Sequence, residues 1–236
     1  MVKRLLLAIW FIVGKLLGSP YGFFMRLRRW LYKKGFLKSR SVDVPVICVG
    51  NLTVGGTGKT PMVAWLVKRL VDSGYTPAVL TRGYKAIGGK SDEAELLKRF
   101  SDANVVVNPD RYSGAQTAIK NGANVLIMDD GFQHLKLKRD LNIVLIDATN
   151  PFSRGVYLPI GKLREPISAL QDAHIVIITR SNEVSLEKLQ SLRDTISSRF
   201  AHLPIYTSAH KPLRIIDETG QQLPVQAING KRVCAF

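Results

Sequence analysis

Between residues 42 and 200 the chain alternates short apolar runs with segments whose apolar residues show helical spacing. The runs are short and rich in β-branched residues, so each one predicts a strand that is covered on both faces. The runs are PVICVG, PAVLT, NVVV, NVLIMDD, NIVLID and HIVIIT, and the helical segments lie at about 60–73, 91–100, 112–120 and 186–199. This order predicts an α/β fold with a doubly wound, mostly parallel sheet in residues 42–204.

The pattern changes on both sides of this domain. Residues 1–41 contain the apolar run LLLAIWFIV, which is far shorter than the roughly 20 residues that cross a bilayer. Three interpretations of this run stay open: a membrane-associated helix, a buried amphipathic helix, and a signal peptide, although no small-x-small cleavage site follows. Residues 205–236 place extended segments around a turn at Glu218–Gln221, which predicts a C-terminal β-ribbon.

The net charge of +16 is concentrated at the start of the chain. Ten of the 34 Lys and Arg residues lie within residues 1–42, where no acidic residue occurs. Because these cations alternate with aromatic residues such as Phe24 and Trp30, they suit an anionic lipid surface better than a nucleic acid. We expect residues 1–41 to contact an anionic membrane, and we expect neither nucleic acid nor an obligate protein partner.

Both cysteines lie inside apolar runs, Cys48 in PVICVG and Cys234 in RVCAF. A thiol in such a run normally serves as a small core side chain. A chain with so few cysteines is expected in a reducing compartment, without a disulfide or a cysteine metal site.

The stretch VGNLTVGGTGKTP follows the first predicted strand and leads into the first predicted helix. It matches a phosphate-binding loop except that Thr53 stands where the leading glycine is expected. Its later glycines let backbone N–H groups approach phosphate oxygens, while the lysine adds a positive charge and the final threonine a hydroxyl for Mg²⁺. The residues predicted to bind a nucleotide are Thr53, Val54, Gly55, Gly56, Thr57, Gly58, Lys59 and Thr60.

Two adjacent acids, Asp129 and Asp130, end the apolar run NVLIM. An acid at the tip of a neighbouring strand is what a phosphate-binding loop needs to organise Mg²⁺. Guanine-specific proteins of this class usually carry an N-K-x-D segment after a late strand, and the corresponding ITRSNE lacks that aspartate. The sequence therefore favours ATP over GTP.

Further motifs complete a pattern that resembles one family. The motifs are NLTVGGTGKTP (Asn51–Pro61), TRGY (Thr81–Tyr84), SDE (Ser91–Glu93), DDGFQH (Asp129–His134) with Arg139–Asp140 following, and LPIGKLREP (Leu158–Pro166). In this order they resemble tetraacyldisaccharide 4′-kinase, the lipid A 4′-kinase family of Gram-negative bacteria, over essentially the whole chain. The resemblance implies Mg²⁺-dependent transfer of the ATP γ-phosphate to the 4′-hydroxyl of a tetraacyl glucosamine disaccharide 1-phosphate. It also implies a peripheral or monotopic protein at the cytoplasmic face of the inner membrane.

The resemblance also implies roles for single residues. Asp92 would help to deprotonate the sugar hydroxyl, and Lys59 and Arg164 would assist it. The Mg²⁺ shell would comprise Thr60, Asp129, Asp130 and Glu165, and the substrate contacts would comprise Arg82, Glu93 and His134. Local interpretations stay open beside these: Asp92 as a helix N-terminal acid, Arg164 with Glu165 as a surface ion pair, and His134 as a loop-stabilising side chain.

Relatives continue beyond the strand that matches KRVCAF into a second α/β domain. We therefore expect this chain to lack that domain and to be impaired in turnover. Two alternatives are a membrane-associated switch ATPase and a non-catalytic nucleotide- or lipid-binding remnant. Partitioning ATPases carry a lysine immediately before the paired glycines, where this chain has Val54, so the loop argues against the switch.

Overall fold

The computed structural model describes residues 20–83, 104–211, 215–216 and 220–230. Predictions for Asp92, Glu93 and Cys234, like those for the apolar run near the start of the chain, lie outside the described residues.

A seven-stranded parallel sheet forms the centre of the protein, which confirms the predicted doubly wound α/β fold. The strands are β1 (Val46–Asn51), β2 (Pro77–Thr81), β3 (Asn104–Val107), β4 (Val125–Asp129), β5 (Leu141–Asp147), β6 (Ile175–Thr179) and β7 (Ile205–Thr207). Their spatial order is β3-β2-β4-β1-β5-β6-β7. Because β2 to β4 lie on one side of β1 and β5 to β7 on the other, the ends of β1 and its neighbours form the natural ligand-binding edge.

Helices cover both faces of the sheet. They are α1 (helical at 20–33), α2 (Lys59–Asp72), α3 (Arg111–Lys120) and α4 (Leu186–Ser197). Asp110 and Ser185 cap α3 and α4, because their side-chain oxygens accept hydrogen bonds from the first-turn backbone amides. Gly58 precedes α2 instead, and no described side chain caps this helix.

Strand β4 shows how the sheet is buried on both sides. Leu126 and Met128 belong to the apolar cluster under α3 and α4, while Ile127 between them belongs to the cluster under α2. Cys48 is fully buried in the first cluster, and burial raises the pKa of its thiol to about 12. The thiol therefore stays protonated in the core, as its sequence context predicts.

The predicted C-terminal ribbon begins later than the sequence suggests. Ile205–Thr207, which we assigned to the ribbon, is the edge strand β7 and pairs in parallel with β6. Its side chains are mostly exposed, so it lacks the continuous apolar character of the inner strands. The ribbon itself consists of β8 (Ile215–Ile216) and β9 (Gln222–Leu223), which pair in antiparallel orientation. The division into three segments at 41 and 204 stays a prediction.

None of the helices within the described ranges combines the length and the apolarity that crossing a bilayer requires.

Truncation of a core side chain in β4 should destabilise the protein strongly. Leu126 is fully buried, so Leu126→Ala leaves a cavity and is expected to lower the free energy of unfolding by about 2–5 kcal/mol. Leu186→Ala is the matched control, because Leu186 is 84% exposed and should change that free energy by less than about 0.5 kcal/mol. Urea denaturation measures both values, and equal losses would contradict the burial pattern.

Candidate active site

The parallel pairing of β1 with β4 brings the glycine-rich loop and the acidic pair to the same edge of the sheet. Val49 lies opposite Asp129 in the register, so both strands end within a residue or two of each other. The loop then turns back into α2 through Gly55 and Gly58, whose φ angles are +118° and +84°. A side chain would strain the backbone at both positions, which explains why glycine occurs there.

Neighbouring strands hold the loop from outside. The Asn51 amide donates to the hydroxyl of Thr57 at 2.8 Å, and the hydroxyl of Thr179, at the end of β6, donates to the Thr57 carbonyl at 3.0 Å. Arg180 donates to the Gly56 carbonyl at 2.8 Å and also pairs with Asp147. These bonds satisfy the polar groups on the outer side of the loop, so its inner side is left for a ligand.

Thr53 does not disturb the loop. It forms an isolated antiparallel bridge with Leu163, so the chain enters the loop in an extended conformation. The next residue, Val54, donates its backbone N–H to the Lys162 carbonyl at 2.7 Å. The segment at 162–163 therefore supports the position where a leading glycine is usually found.

The start of α2 is suited to binding an anion. No described side chain caps it, and its first turn contains Lys59 and no acid. Unpaired N–H groups at a helix N-terminus carry a partial positive charge that favours phosphate.

Asp130 joins the loop to the LREP motif. Its carboxylate accepts two hydrogen bonds from Arg164, at 2.7 and 2.9 Å, and lies 3.6 Å from the ammonium of Lys59. Burial alone would raise the pKa of Asp130, but the Arg164 hydrogen bonds and the Lys59 charge outweigh it and hold the pKa below its ordinary value. The side chain is therefore ionised at neutral pH, between two fixed cations.

Asp129 lies deeper than Asp130 and is almost completely buried. Arg111, which is also buried, donates to the Asp129 backbone carbonyl at 3.3 Å. Within the described ranges, no group of three or more His, Cys, Asp or Glu side chains is arranged to hold a metal ion. The predicted Mg²⁺ role of Thr60, Asp129 and Asp130 therefore stays a prediction.

Glu165 is oriented differently from the other predicted metal ligands. It is fully buried, and its Oε2 accepts a hydrogen bond from Nε of Arg29 at 2.6 Å. Its other oxygen, Oε1, is buried without a hydrogen-bond partner among the described residues. The structure thus pairs Glu165 with Arg29 rather than with Arg164, and its metal role stays a prediction.

A cleft of about 770 Å³ opens beside the acidic pair. Basic side chains dominate its charged lining, which suits a ligand with several negative groups. The lining residues are Tyr21, Met25, Arg28, Val54, Thr81, Arg82, Pro109, Arg111, Asp129, Asp130, Gln133, His134, Lys136 and Arg164. The cleft therefore brings together the predicted residues Val54, Arg82, Asp129, Asp130, His134 and Arg164.

His134 is neutral in this cleft. Burial, and after it the positive charges of Arg111 and Arg139, lower the pKa of His134 to about 4. Its Nε2 is buried and has no hydrogen-bond partner among the described residues. A neutral imidazole nitrogen can accept a hydrogen bond from, or donate one to, a ligand hydroxyl.

Sequence reasoning missed several residues that shape the site. Asn51 is one, because its amide contacts the loop and its Oδ1 accepts a hydrogen bond from Arg164 at 2.5 Å. Three more come from α1: Tyr21, Met25 and Arg28 line the cleft. Their spacing of four and three residues marks one helix face, and this spacing was the available signal.

Comparisons with known proteins agree with this geometry. A family profile described as tetraacyldisaccharide-1-P 4′-kinase (LpxK) matches residues 10–236. Curated tetraacyldisaccharide 4′-kinases from Syntrophotalea carbinolica and Pelobacter propionicus are 43% and 39% identical over 74% and 92% of this chain. The matches cover 55% and 63% of those relatives, so the chain spans little more than half of their length.

Solved structures agree with this fold. LpxK from Aquifex aeolicus, crystallised in complex with ATP, superimposes with a TM-score of 0.70 and 28% identity, covering 99% of this chain and 73% of that one. The cell division protein FtsY from Thermotoga maritima shares the fold alone, with a TM-score of 0.52 and 19% identity over 75% of this chain and 65% of that one. On the family profile and these close relatives, the chain belongs to the tetraacyldisaccharide 4′-kinase family.

Proposed function

We propose that the protein is an ATP-dependent lipid kinase that transfers the γ-phosphate of ATP to the 4′-hydroxyl of a tetraacyl disaccharide 1-phosphate. The observation that carries this proposal is the convergence of Lys59, Asp130 and Arg164 beside the uncapped start of α2. Fixed cations at that point would stabilise the charge on a phosphoryl group in transfer. The ATP complex of the A. aeolicus relative supports ATP as the donor.

The loop of residues 53–60 would bind the phosphates of ATP. Gly55 and Gly58 turn the backbone with positive φ angles, and the hydrogen bonds from Thr179 and Arg180 already hold its outer carbonyls. Lys59 would contact the β- and γ-phosphate oxygens, in exchange for its present 3.6 Å approach to Asp130.

Thr60, Asp129 and Asp130 would hold Mg²⁺. They fit this ion because it is usually held by one or two carboxylates together with phosphate oxygens and water, and Asp129 and Asp130, neighbours in sequence, both line the cleft. When bound, Mg²⁺ neutralises phosphate charge during transfer. The buried Arg111, beside the Asp129 carbonyl, keeps the base of this site positively charged.

The acceptor would enter the cationic cleft from the side of α1. Asp92, following the family resemblance, would take the proton of the 4′-hydroxyl as its oxygen attacks the γ-phosphorus, and ADP would leave. His134 would contact an uncharged sugar hydroxyl through its Nε2. Arg82 and Glu93 would contribute further substrate contacts, Arg82 from the cleft lining.

We further propose that α1 and the turn after it dock on an anionic membrane. Four aromatic side chains, which we call the aromatic face, project into solvent: Phe23, Phe24, Trp30 and Phe36. Trp30 and Phe36 stack at 5.7 Å between ring centroids, and Phe36 is 70% exposed. Exposed basic residues flank this face, namely Arg26, Lys33, Lys34 and Lys38. Aromatic and basic side chains together match the interface of an anionic bilayer.

The two sides of α1 connect this surface with the cleft. Tyr21, Met25 and Arg28 line the cleft, while Phe23 and Trp30 of the aromatic face lie on the opposite side of the same helix. A docked α1 would therefore bring the cleft to the membrane surface, where the acyl chains of a substrate can remain in lipid. The proposed location is the cytoplasmic face of the bacterial inner membrane, as a peripheral or monotopic protein.

Replacement of the loop lysine should weaken nucleotide binding. Purified protein with Mg-ATP and acylated disaccharide 1-phosphate in detergent should form the 4′-phosphorylated product more slowly than a full-length relative does, as measured by mass spectrometry. Lys59→Ala should weaken Mg-ATP binding by about tenfold to a hundredfold, because a charged contact to phosphate is lost. Lys68→Ala, an exposed lysine on the same helix, is the control and should bind like the native chain. Native affinity in Lys59→Ala would contradict the assignment of the loop.

Acidification should destabilise the folded protein through His134. Its pKa is about 4 when folded and about 6.5 when unfolded, so between these values the unfolded chain binds more protons. The free energy of unfolding should therefore fall as the pH falls from about 6.5 towards 4, and His134→Gln should reduce this fall. Urea denaturation between about pH 7 and pH 5 measures both slopes, with the exposed His202→Gln as the control. Identical slopes in native protein and His134→Gln would refute the prediction.

Loss of the aromatic face should weaken membrane binding. The double variant Trp30→Ser with Phe36→Ser removes two exposed rings and should reduce partitioning onto phosphatidylglycerol vesicles by about tenfold or more. Binding of the native chain should also fall at high salt, because the flanking basic residues are screened. Trp65→Ser, which removes an exposed ring on α2, is the control and should bind normally. Equal partitioning of the double variant and the native chain in a sedimentation assay would exclude this surface.

A further inference from the structure

Arg29 is the one basic residue of the described part of α1 that turns fully inwards, and it is only 9% exposed. Its guanidinium donates to the carboxylate of Glu165 at 2.6 Å, to that of Asp172 at 2.7 Å and to the Phe132 carbonyl at 3.0 Å. It also lies over the Phe132 ring, 4.5 Å from the centroid. The proposed lipid contacts do not require such a buried, multiply bonded cation.

Two of the partners of Arg29, Glu165 and Phe132, belong to the two segments that form the phosphate site. Phe132 follows Asp130 by two residues, and Glu165 directly follows Arg164. The backbone amides of Arg164 and Glu165 both donate to the Leu52 carbonyl, at 2.8 and 3.2 Å, where the glycine-rich loop begins. Arg29 thus lies behind the Arg164–Asp130 pair and contacts both of the segments that carry it.

Two neighbours on α1 contact the same segments. The hydroxyl of Tyr21 donates to the Arg164 carbonyl at 3.1 Å, and Arg28 donates to the Gln133 carbonyl at 2.9 Å. These bonds reach only the backbone, whereas Arg29 alone of the three pairs with acidic side chains, the fully buried Glu165 and the partly exposed Asp172. The orientation of both segments therefore depends most strongly on Arg29.

We propose that Arg29 is a positioning residue for phosphoryl transfer, which connects the membrane-facing helix α1 to the Arg164–Asp130 pair. This inference rests on the proposed kinase function. Arg29 acts through Glu165, which it holds in place so that Arg164 keeps its paired hydrogen bonds to Asp130. The helix that carries the aromatic face is consequently part of the catalytic framework as well as a docking element.

The chemistry of the guanidinium explains the choice of arginine. Its planar fork donates in three directions at once, to two carboxylates and a carbonyl, while its face covers the Phe132 ring. Lysine keeps the positive charge but cannot reproduce this fork. Arg29→Lys therefore separates positioning from charge compensation, and it avoids leaving the buried Glu165 without a neighbouring cation.

The test measures hydrogen exchange and kinetics in the whole chain. In Arg29→Lys, the amides of Arg164 and Glu165 should exchange about tenfold faster, while those of β1 keep native rates. The kcat for phosphoryl transfer should fall by about tenfold to a hundredfold, with the KM for ATP within about threefold of native, because the glycine-rich loop remains intact. Arg199→Lys, an exposed arginine after α4, is the matched control and should behave like the native chain.

A second variant tests whether Arg29 acts on the Arg164–Asp130 pair through Glu165. If Arg29 acts through Glu165, Glu165→Gln and the double variant with Arg29→Lys should show nearly the same kcat, because the two effects are not additive. Additive losses, native exchange and kcat in Arg29→Lys, or faster exchange throughout the sheet would each overturn the inference. Hydrogen exchange is measured without substrates and therefore does not depend on the kinase proposal. A native chain that transfers no phosphate would refute the kinase proposal. The exchange rates would still decide whether Arg29 holds the two segments.

Discussion

The parallel pairing of β1 with β4 places the glycine-rich loop beside the acidic pair. It fixes Val49 opposite Asp129, and the two strands therefore release the glycine-rich loop and the acidic pair at one edge. Other polar residues at that edge bind to the phosphate-binding loop or to the carboxylates. Lys59 and Arg164 surround Asp130, and Asn51 connects Thr57 with Arg164, so that loop, acid and cation form one hydrogen-bonded unit. A sheet with β1 and β4 apart would leave these residues without a common site.

The basic start of the chain serves two different environments. Most cations of α1 and the turn after it lie in solvent beside exposed aromatic rings, whereas Arg29 is enclosed by Glu165, Asp172 and Phe132. The net charge of this segment does not distinguish the exposed cations from the buried one. Their physical roles differ, because an exposed cation is screened by salt and a buried one is fixed by the carboxylates around it.

The sequence identified the fold and the centre of the site because both depend on local patterns. Each apolar run became a strand, and the residues around Lys59 and Asp130 follow strands directly, so strand order brings them together. Arg29 and Tyr21 could not be found in this way. Their partners, Glu165 and the Arg164 carbonyl, lie more than a hundred residues away, and no local pattern reports such contacts. The edge strand β7 was missed for a related reason, because a strand with one partner needs no continuous apolar run.

The bonds on the outer side of the glycine-rich loop have a consequence for ligand capture. The Thr57 hydroxyl and carbonyl and the Gly56 carbonyl are all engaged by hydrogen bonds from residues of the sheet edge. The loop is thus pre-organised, and the entropy lost in ordering it is part of folding rather than of binding. Affinity for a phosphate ligand would accordingly depend on Thr179 and Arg180, which lie far from the loop in sequence and hold its carbonyls. Selection for tight nucleotide binding can therefore act on the end of β6 as well as on the glycines themselves.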